Sequence, residues 1–337
     1  MTKGLKGRLY TTVVGSFPYY MDKGLMKAND WMEVPEIKNT SFEALKFQLD
    51  CGIDFPSDGQ FFDMVEMYLE PLKNAGFLTE GRLLGEGGPP SKHPSARLES
   101  ELEGMARKGG AQGLRVPVTG PFTLAYRVKN TQGSLAETAD KDGLLELGRA
   151  VKAFVKGFDS FLSGSILSVD EPVLPFVLPV FGNDFIRDVL NDVFRAIKRN
   201  YSCMHICGSI GGIKDLALSL DVEILDHEFQ GTDNSHVYTR EDLEARGKML
   251  CYGVLNTNPR QVFREDGNVL VEPVSHIKNV IEAACKTYGM ENLLISPDCG
   301  FGGWRHVHRE EGEKWGWIKE KLSNMVRARD EVLGWQA

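Results

Sequence analysis

The sequence predicts an α/β protein, a single (β/α)8 barrel, on two observations. Short apolar, β-branched runs alternate with helical stretches, and each run ends on side chains able to do chemistry. The runs, eight in all, are Leu9–Val14, Gly52–Ser57, Gly113–Val118, Ile166–Val169, Ser202–Ile206, Val222–His227, Met249–Val254 and Asn292–Ser296. Between them, Phe42–Leu49, Leu144–Phe161, Phe185–Arg199 and Val274–Tyr288 repeat apolar residues at helical spacing. Alternation alone suits a doubly wound open sheet equally well. The residues following the runs separate the two. In chain order they are Ser16, then Asp58 and Gln60, Thr119, Asp170 and Glu171, His205 and Cys207, Glu228, Asn256, and Asp298 with Cys299. A barrel gathers all these ends on one face, whereas an open sheet spreads them along an edge.

The remaining segments fit one unit spanning residues 1–337. Lys73–Gly104 has no clear strand and contains Gly-Glu-Gly-Gly-Pro-Pro at Gly85–Pro90, so it reads as a long loop or small insertion over the barrel. Arg305–Lys319, rich in both charge signs, reads as the start of a solvated C-terminal helix. A net charge of −8 argues against a nucleic-acid surface, whose footprint is a basic stripe. No apolar run is long enough for a membrane span, and the segment after Arg8 is too short for a signal peptide. Six cysteines in 337 residues are no disulfide framework; reduced thiols in a cytoplasmic protein are the better reading.

The sharpest chemical signal is His205-Ile206-Cys207-Gly208. Residues two apart on a strand share a side, and imidazole and thiolate are preferred zinc ligands. Glu228, in Asp226-His227-Glu228, and Cys299, in Ser296-Pro297-Asp298-Cys299-Gly300, end later runs and could complete a four-ligand site. His227 could replace Glu228, and Cys203 or Cys251 could replace a thiolate. Cys51 and Cys285 lie in helical stretches and read as small core residues. A hydrolytic zinc favours imidazole and carboxylate, which leave the metal electron-poor. A thiolate-rich site is a weaker Lewis acid, yet it can hold a substrate thiol deprotonated and nucleophilic. The pattern points to thiol alkylation.

Thr12-Val13-Val14-Gly15-Ser16-Phe17-Pro18 resembles the opening of the catalytic barrel of cobalamin-independent methionine synthases. So do Asp63-Met64-Val65-Glu66, Val118-Thr119-Gly120-Pro121, Asp170-Glu171-Pro172, His205-Ile206-Cys207 and Pro297-Asp298-Cys299-Gly300, in the family's order. The resemblance implies a barrel with one zinc held by His205, Cys207, Glu228 and Cys299. It also implies a homocysteine site in which Ser16 meets the carboxylate and Asp170 the ammonium. Asp58, Gln60, Glu171 and Asn258 are further expected substrate contacts.

Two departures bear on the reaction. Family members commonly carry Gly-Glu before the Asp-Met-Val segment, where this chain has Gly59-Gln60, so Asp58 or Asp170 is left to balance the ammonium. Folate-using members end Gly-Val-x-Asp-x-His where this chain has Gly253-Val254-Leu255-Asn256-Thr257-Asn258. Asn258 cannot act as a general acid, and a folate amine leaves poorly unless protonated. Sequence reasoning therefore favours a methylcorrinoid, presented by a corrinoid protein, over methyltetrahydrofolate as methyl donor. Alkyl transfer to another thiol such as coenzyme M is the alternative enzyme, and a zinc-binding scaffold the non-enzymatic one.

Overall fold

The structure is a computed structural model that describes residues 4–83, 88–264 and 267–334. The chain runs through α1 (Pro35–Asp50), α2 (Glu66–Asn74), a two-residue hairpin of β1 (Leu78–Thr79) and β2 (Arg82–Leu83), and α3 (Ala96–Lys108). Then come β3 (Arg115–Thr119), α4 (Pro121–Leu124), α5 (Lys141–Phe161), β4 (Ile166–Asp170), α6 (Leu174–Phe181), α7 (Asn183–Phe194) and β5 (Tyr201–Ile206). After these lie α8 (Lys214–Ser219), β6 (Ile224–His227), α9 (Arg240–Arg246) and β7 (Met249–Leu255). The last elements are α10 (Pro259–Val262), α11 (Val274–Tyr288), β8 (Leu293–Pro297) and α12 (Glu311–Leu333). Strands β3 to β8 lie side by side in sequence order, every neighbouring pair parallel. All but Tyr201 at the start of β5 are buried, as expected of parallel strands covered by helices outside and side chains inside.

The ring closes through two segments that are barely strands. Thr11 bridges Ile295 of β8, and Thr12 bridges Phe55, both in parallel. Arg115 of β3 then donates its N–H to Pro56 at 2.8 Å. The predicted runs Leu9–Val14 and Gly52–Ser57 thus occupy the first two barrel positions without forming a full ladder. The reason is local chemistry. The Asp54 carboxylate takes both the N–H and the hydroxyl of Thr11, at 2.8 and 2.9 Å, and Pro56 has no N–H to give. Arg329 of α12 pins Asp54 at 2.6 Å, so the C-terminal helix helps hold the closure.

Two expectations are corrected. Lys73–Gly104 is not one long loop: it contains the end of α2, the hairpin and most of α3, whose Leu98, Glu99, Leu102 and Ala106 are buried. Gly85, Glu86 and Gly87 of its Gly-Glu-Gly-Gly-Pro-Pro stretch lie outside the described residues. The C-terminal helix begins at Glu311 and is not simply solvated. It buries Ile318, Leu322 and Met325, and its Lys321, fully buried, pairs with Glu272 and donates to the Asn256 carbonyl at 3.1 Å. Among the described residues no helix is long and apolar enough to cross a membrane.

Candidate active site

His205, next to last in β5, lies directly opposite Asp226 of β6 in the strand register, and that pairing sets its ring. The Asp226 carboxylate lies 3.0 Å from His205 Nδ1, which therefore donates to it, leaving Nε2 to face Cys207 Sγ at 3.0 Å. Cys207 Sγ is 3.2 Å from Cys299 Sγ, brought over from the end of β8. The ligand atoms of His205, Cys207 and Cys299 all lie within 4.8 Å of one another, the one such group among the described residues. The carboxylate of Glu228, half-buried, stands outside this group, against the Cys207 thiol and the Gly208 N–H.

The charges are coupled. A hydrogen bond from Cys207, helped by His205, holds the Cys299 thiol well below its usual pKa, and the same partnership pushes Cys207 up. Burial disfavours a charged His205, but Asp226 outweighs it and raises the imidazole. Burial likewise works against the Asp226 charge, and Arg115 with His205 overcomes it, holding the carboxylate well below its ordinary range. Two sulfurs and one imidazole whose other nitrogen is fixed by a carboxylate are a donor set suited to zinc, with room for a further ligand.

The alternative ligands are engaged elsewhere. His227 points away, its ring nitrogens facing Ile206 O at 3.3 Å and the Tyr238 hydroxyl at 3.2 Å, and burial lowers its pKa to about 4. Cys203 and Cys251 are buried in the barrel interior, where desolvation keeps them as thiols, Cys203 at about 12. Cys51 sits just past α1 and Cys285 within α11.

Two residues to which sequence reasoning gave no role in the ligand cluster hold this site. Asp298 accepts backbone N–H groups from Phe229, Gln230 and Gly231 at 2.8 to 3.1 Å, tying the loop after Glu228 to the strand end that carries Cys299. Gly253 makes room for it: a Cβ there would lie 2.2 Å from Asp298 Oδ1. Burial raises Asp298 to about 7 against those three donors. Asp226 is the other, and its signal was available, since it lies two residues before Glu228 and so shares its side of the strand.

The expected amino-acid residues lie around the same end of the barrel. Ser16 packs on the loop after Cys299: its carbonyl accepts Phe301 N–H at 2.7 Å, and a Cβ on Gly300 would fall 2.2 Å from its hydroxyl. Asp58 is buried, and desolvation lifts its carboxyl to about 6 although Gln60 N–H donates to it at 3.0 Å. Gln60 adopts a left-handed φ of 44°, and its buried Nε2 has no hydrogen-bond partner among the described residues. Asp170 ends β4, accepts the Ser168 hydroxyl at 2.6 Å, and is raised to about 6 by burial, opposed by His205 and Arg115. It is no helix cap, because α6 begins at Leu174.

Glu171 is engaged by the protein itself. It is fully buried and its two oxygens are taken by Phe122 N–H, Thr123 N–H and the Thr123 hydroxyl, at 2.9, 2.9 and 2.7 Å. It caps the start of α4. Asn258 caps α10, accepting Arg260 N–H at 3.0 Å. With Cys207, Glu228, Asn256, Asp298 and Cys299 it lines a cavity of about 310 Å³.

Comparison with known proteins agrees with this geometry. Residues 9–331 match the family model described as cobalamin-independent synthase, catalytic domain. A methionine synthase of Methanocaldococcus jannaschii is 27% identical over 310 residues, covering 87% of this chain and 92% of that protein. A 5-methyltetrahydropteroyltriglutamate–homocysteine methyltransferase of Mycobacterium leprae is 25% identical over 96% of this chain but only 43% of its own length. In fold, the chain is similar to a B12-independent methionine synthase from Shewanella, solved with selenomethionine. The TM-score is 0.68 at 16% identity, covering 97% of this chain and 98% of that one.

Proposed function

The chain belongs to the cobalamin-independent synthase catalytic-domain family, and from that premise we propose that it methylates the thiol of homocysteine to give methionine, as one catalytic barrel over residues 1–337. The observation that carries the reading is the cluster of His205, Cys207 and Cys299 with Asp226 behind the imidazole. These three side chains would hold one zinc, with Glu228 the replaceable fourth ligand beside them. Zinc bound there supplies a positive centre that keeps an incoming thiol deprotonated at neutral pH without making it inert. Both cysteines must be reduced to serve, which fits a cytoplasmic setting.

The chain's own residues do the rest. Ser16 and its neighbouring backbone receive the homocysteine carboxylate, and Asp58 and Asp170 balance the ammonium. Both carboxyls are pushed up to about 6 by burial, so their charged forms near neutral pH carry a desolvation cost that a docked ammonium offsets. The sulfur then attacks the donor methyl carbon in line. A sulfur–carbon bond forms as the carbon–donor bond breaks, and the electron pair leaves with the donor. Acceptors carrying a sulfonate, such as coenzyme M, call for basic residues where this site places two carboxylates.

For the donor we favour a methylcorrinoid on a carrier protein, on one observation: position 258 offers an amide already committed to capping α10. An amide gives no proton to a departing folate amine, whereas cobalt leaves as Co(I) with the pair and needs none. Methyltetrahydropteroylglutamate is the second reading, favoured by the name of the Mycobacterium relative. The test is methionine formation from homocysteine with methylcobalamin and, in parallel, with methyltetrahydrofolate carrying one or three glutamates. Turnover with the corrinoid alone supports the favoured donor, and turnover with the folates alone replaces it. A zinc-loaded protein silent with both, and with a methylated corrinoid protein, overturns the methionine synthase reading.

A further inference from the structure

The barrel interior contains a buried cation that the proposed reaction does not use. Arg115 opens β3 and is 0% exposed, at a level where barrels are usually filled by branched apolar side chains. Its Nη2 lies 2.6 Å from Asp226 Oδ2, the oxygen that also receives His205 Nδ1–H. The same Nη2 donates to the Ser168 hydroxyl at 3.0 Å, and that hydroxyl donates to Asp170 Oδ1 at 2.6 Å. Its Nε and Nη1 have no hydrogen-bond partner among the described residues. For stability alone this is a poor choice, since an apolar side chain would fill the space without stranding two donors.

One guanidinium therefore stands at the root of two chains of contact. One runs through Asp226 to the imidazole of the metal cluster. The other runs through Ser168 to the carboxylate expected to meet the ammonium of homocysteine. Those ends belong to neighbouring strands, β5 and β4, where His205 lies opposite Asp170 in the register, and Arg115 reaches both from below through side chains.

We propose that Arg115 is a positioning residue that fixes the His205 ligand and the Asp170 carboxylate relative to one another, so that the thiol and the ammonium of one amino acid are received in register. The inference rests on the zinc and homocysteine reading above. It assigns separate duties to the two branches. Asp226 serves the metal, Ser168 serves the amino acid, and Arg115 serves both.

The experiment uses the full chain, with zinc affinity measured by competition with a chromophoric chelator and homocysteine binding by calorimetry on zinc-loaded protein. Arg115→Met should weaken zinc by up to about 10-fold, the lower end of the range for lost partners of metal ligands because it acts through Asp226, and should weaken homocysteine as well. Asp226→Asn should weaken zinc alone. Ser168→Ala should weaken homocysteine binding several-fold, leaving zinc affinity unchanged. Arg115→Lys, which keeps the charge but lacks the fork, should recover part of the zinc affinity and little of the homocysteine affinity.

Circular dichroism and melting temperature establish that each variant is folded. If Arg115→Met does not fold, Arg115→Lys and Ser168→Ala decide. A folded Arg115 variant with wild-type affinity for both ligands overturns the proposal, as does a Ser168→Ala protein that loses zinc as Arg115→Met does. Wild-type protein that binds no zinc would instead defeat the reading on which the inference rests, and the two failures are read from different samples.

Discussion

The half of the barrel mouth proposed to hold the metal (the metal half) and the half proposed to receive the amino acid (the amino-acid half) are built on opposite terms. Around the metal cluster the polar groups already have protein partners. His205 is held at both nitrogens, Asp226 takes Arg115 and His205, and Asp298 takes three backbone N–H groups. Across the mouth the site is unfinished. Gln60 has an unpartnered buried Nε2 on a left-handed backbone, and Asp58 and Asp170 are buried carboxyls raised to about 6. The metal half is preorganised by the chain, whereas the amino-acid half holds desolvation and strain that a zwitterionic ligand relieves.

Breaking the metal half should give the largest effect. Cys207→Ser and Cys299→Ser each remove one of three close ligand atoms, and a hydroxyl is a poor substitute for thiolate. Zinc measured on purified protein should fall from about one per chain to under about a tenth, with methionine formation lost and the melting temperature lowered toward that of chelator-treated wild type. Full zinc retention in both variants would remove these cysteines from the ligand set and dissolve the contrast between the two halves.

The second test addresses stored cost. Asp58 has a carboxyl pKa of about 6 in the fold against an ordinary 3.8, so its contribution to stability is fully present below about 3.8 and is lost as pH rises through about 6. Asp58→Asn keeps an acceptor for Gln60 N–H and removes the charge. It should stabilise the protein without substrate by about 3 kcal/mol at pH 7.5, with the gain gone below pH ~4. Denaturant unfolding at several pH values measures this. A gain that does not depend on pH would mean that Asp58 is not paying a desolvation cost. The same variant should bind homocysteine more weakly, because its ammonium loses one of two counter-charges.

The fold was legible where hydrogen bonding follows composition. Met249–Val254 anticipates β7 at Met249–Leu255, and Val274–Tyr288 coincides with α11. It was illegible where a side chain takes over the ladder: nothing in Leu9–Val14 shows that Asp54 claims the N–H of Thr11. In the site, His205, Cys207 and Cys299 were readable because two-residue spacing on a strand and thiolate chemistry agree. Glu171 adjoins Asp170 in a shared motif, but nothing in that motif shows that its carboxylate takes the backbone N–H groups at the start of α4. Arg115 carried a signal that went unread, a charged residue at the head of the apolar run Arg-Val-Pro-Val-Thr.

The smallest effect, and the finest test of the contrast, lies at Gln60. Its φ of 44° is one that a residue with a Cβ adopts at a cost of about 1–2 kcal/mol, partly offset by the backbone freedom a glycine would lose on folding. Its buried Nε2 adds the cost of a donor without an acceptor. Gln60→Gly should therefore stabilise the substrate-free protein by up to about 1 kcal/mol. Homocysteine should bind about tenfold more weakly once the donor is gone. Opposite signs on stability and on affinity are what a ligand-completed site requires. A variant that is less stable with unchanged homocysteine affinity would make Gln60 a packing residue, and the amino-acid half would be no less finished than the metal half.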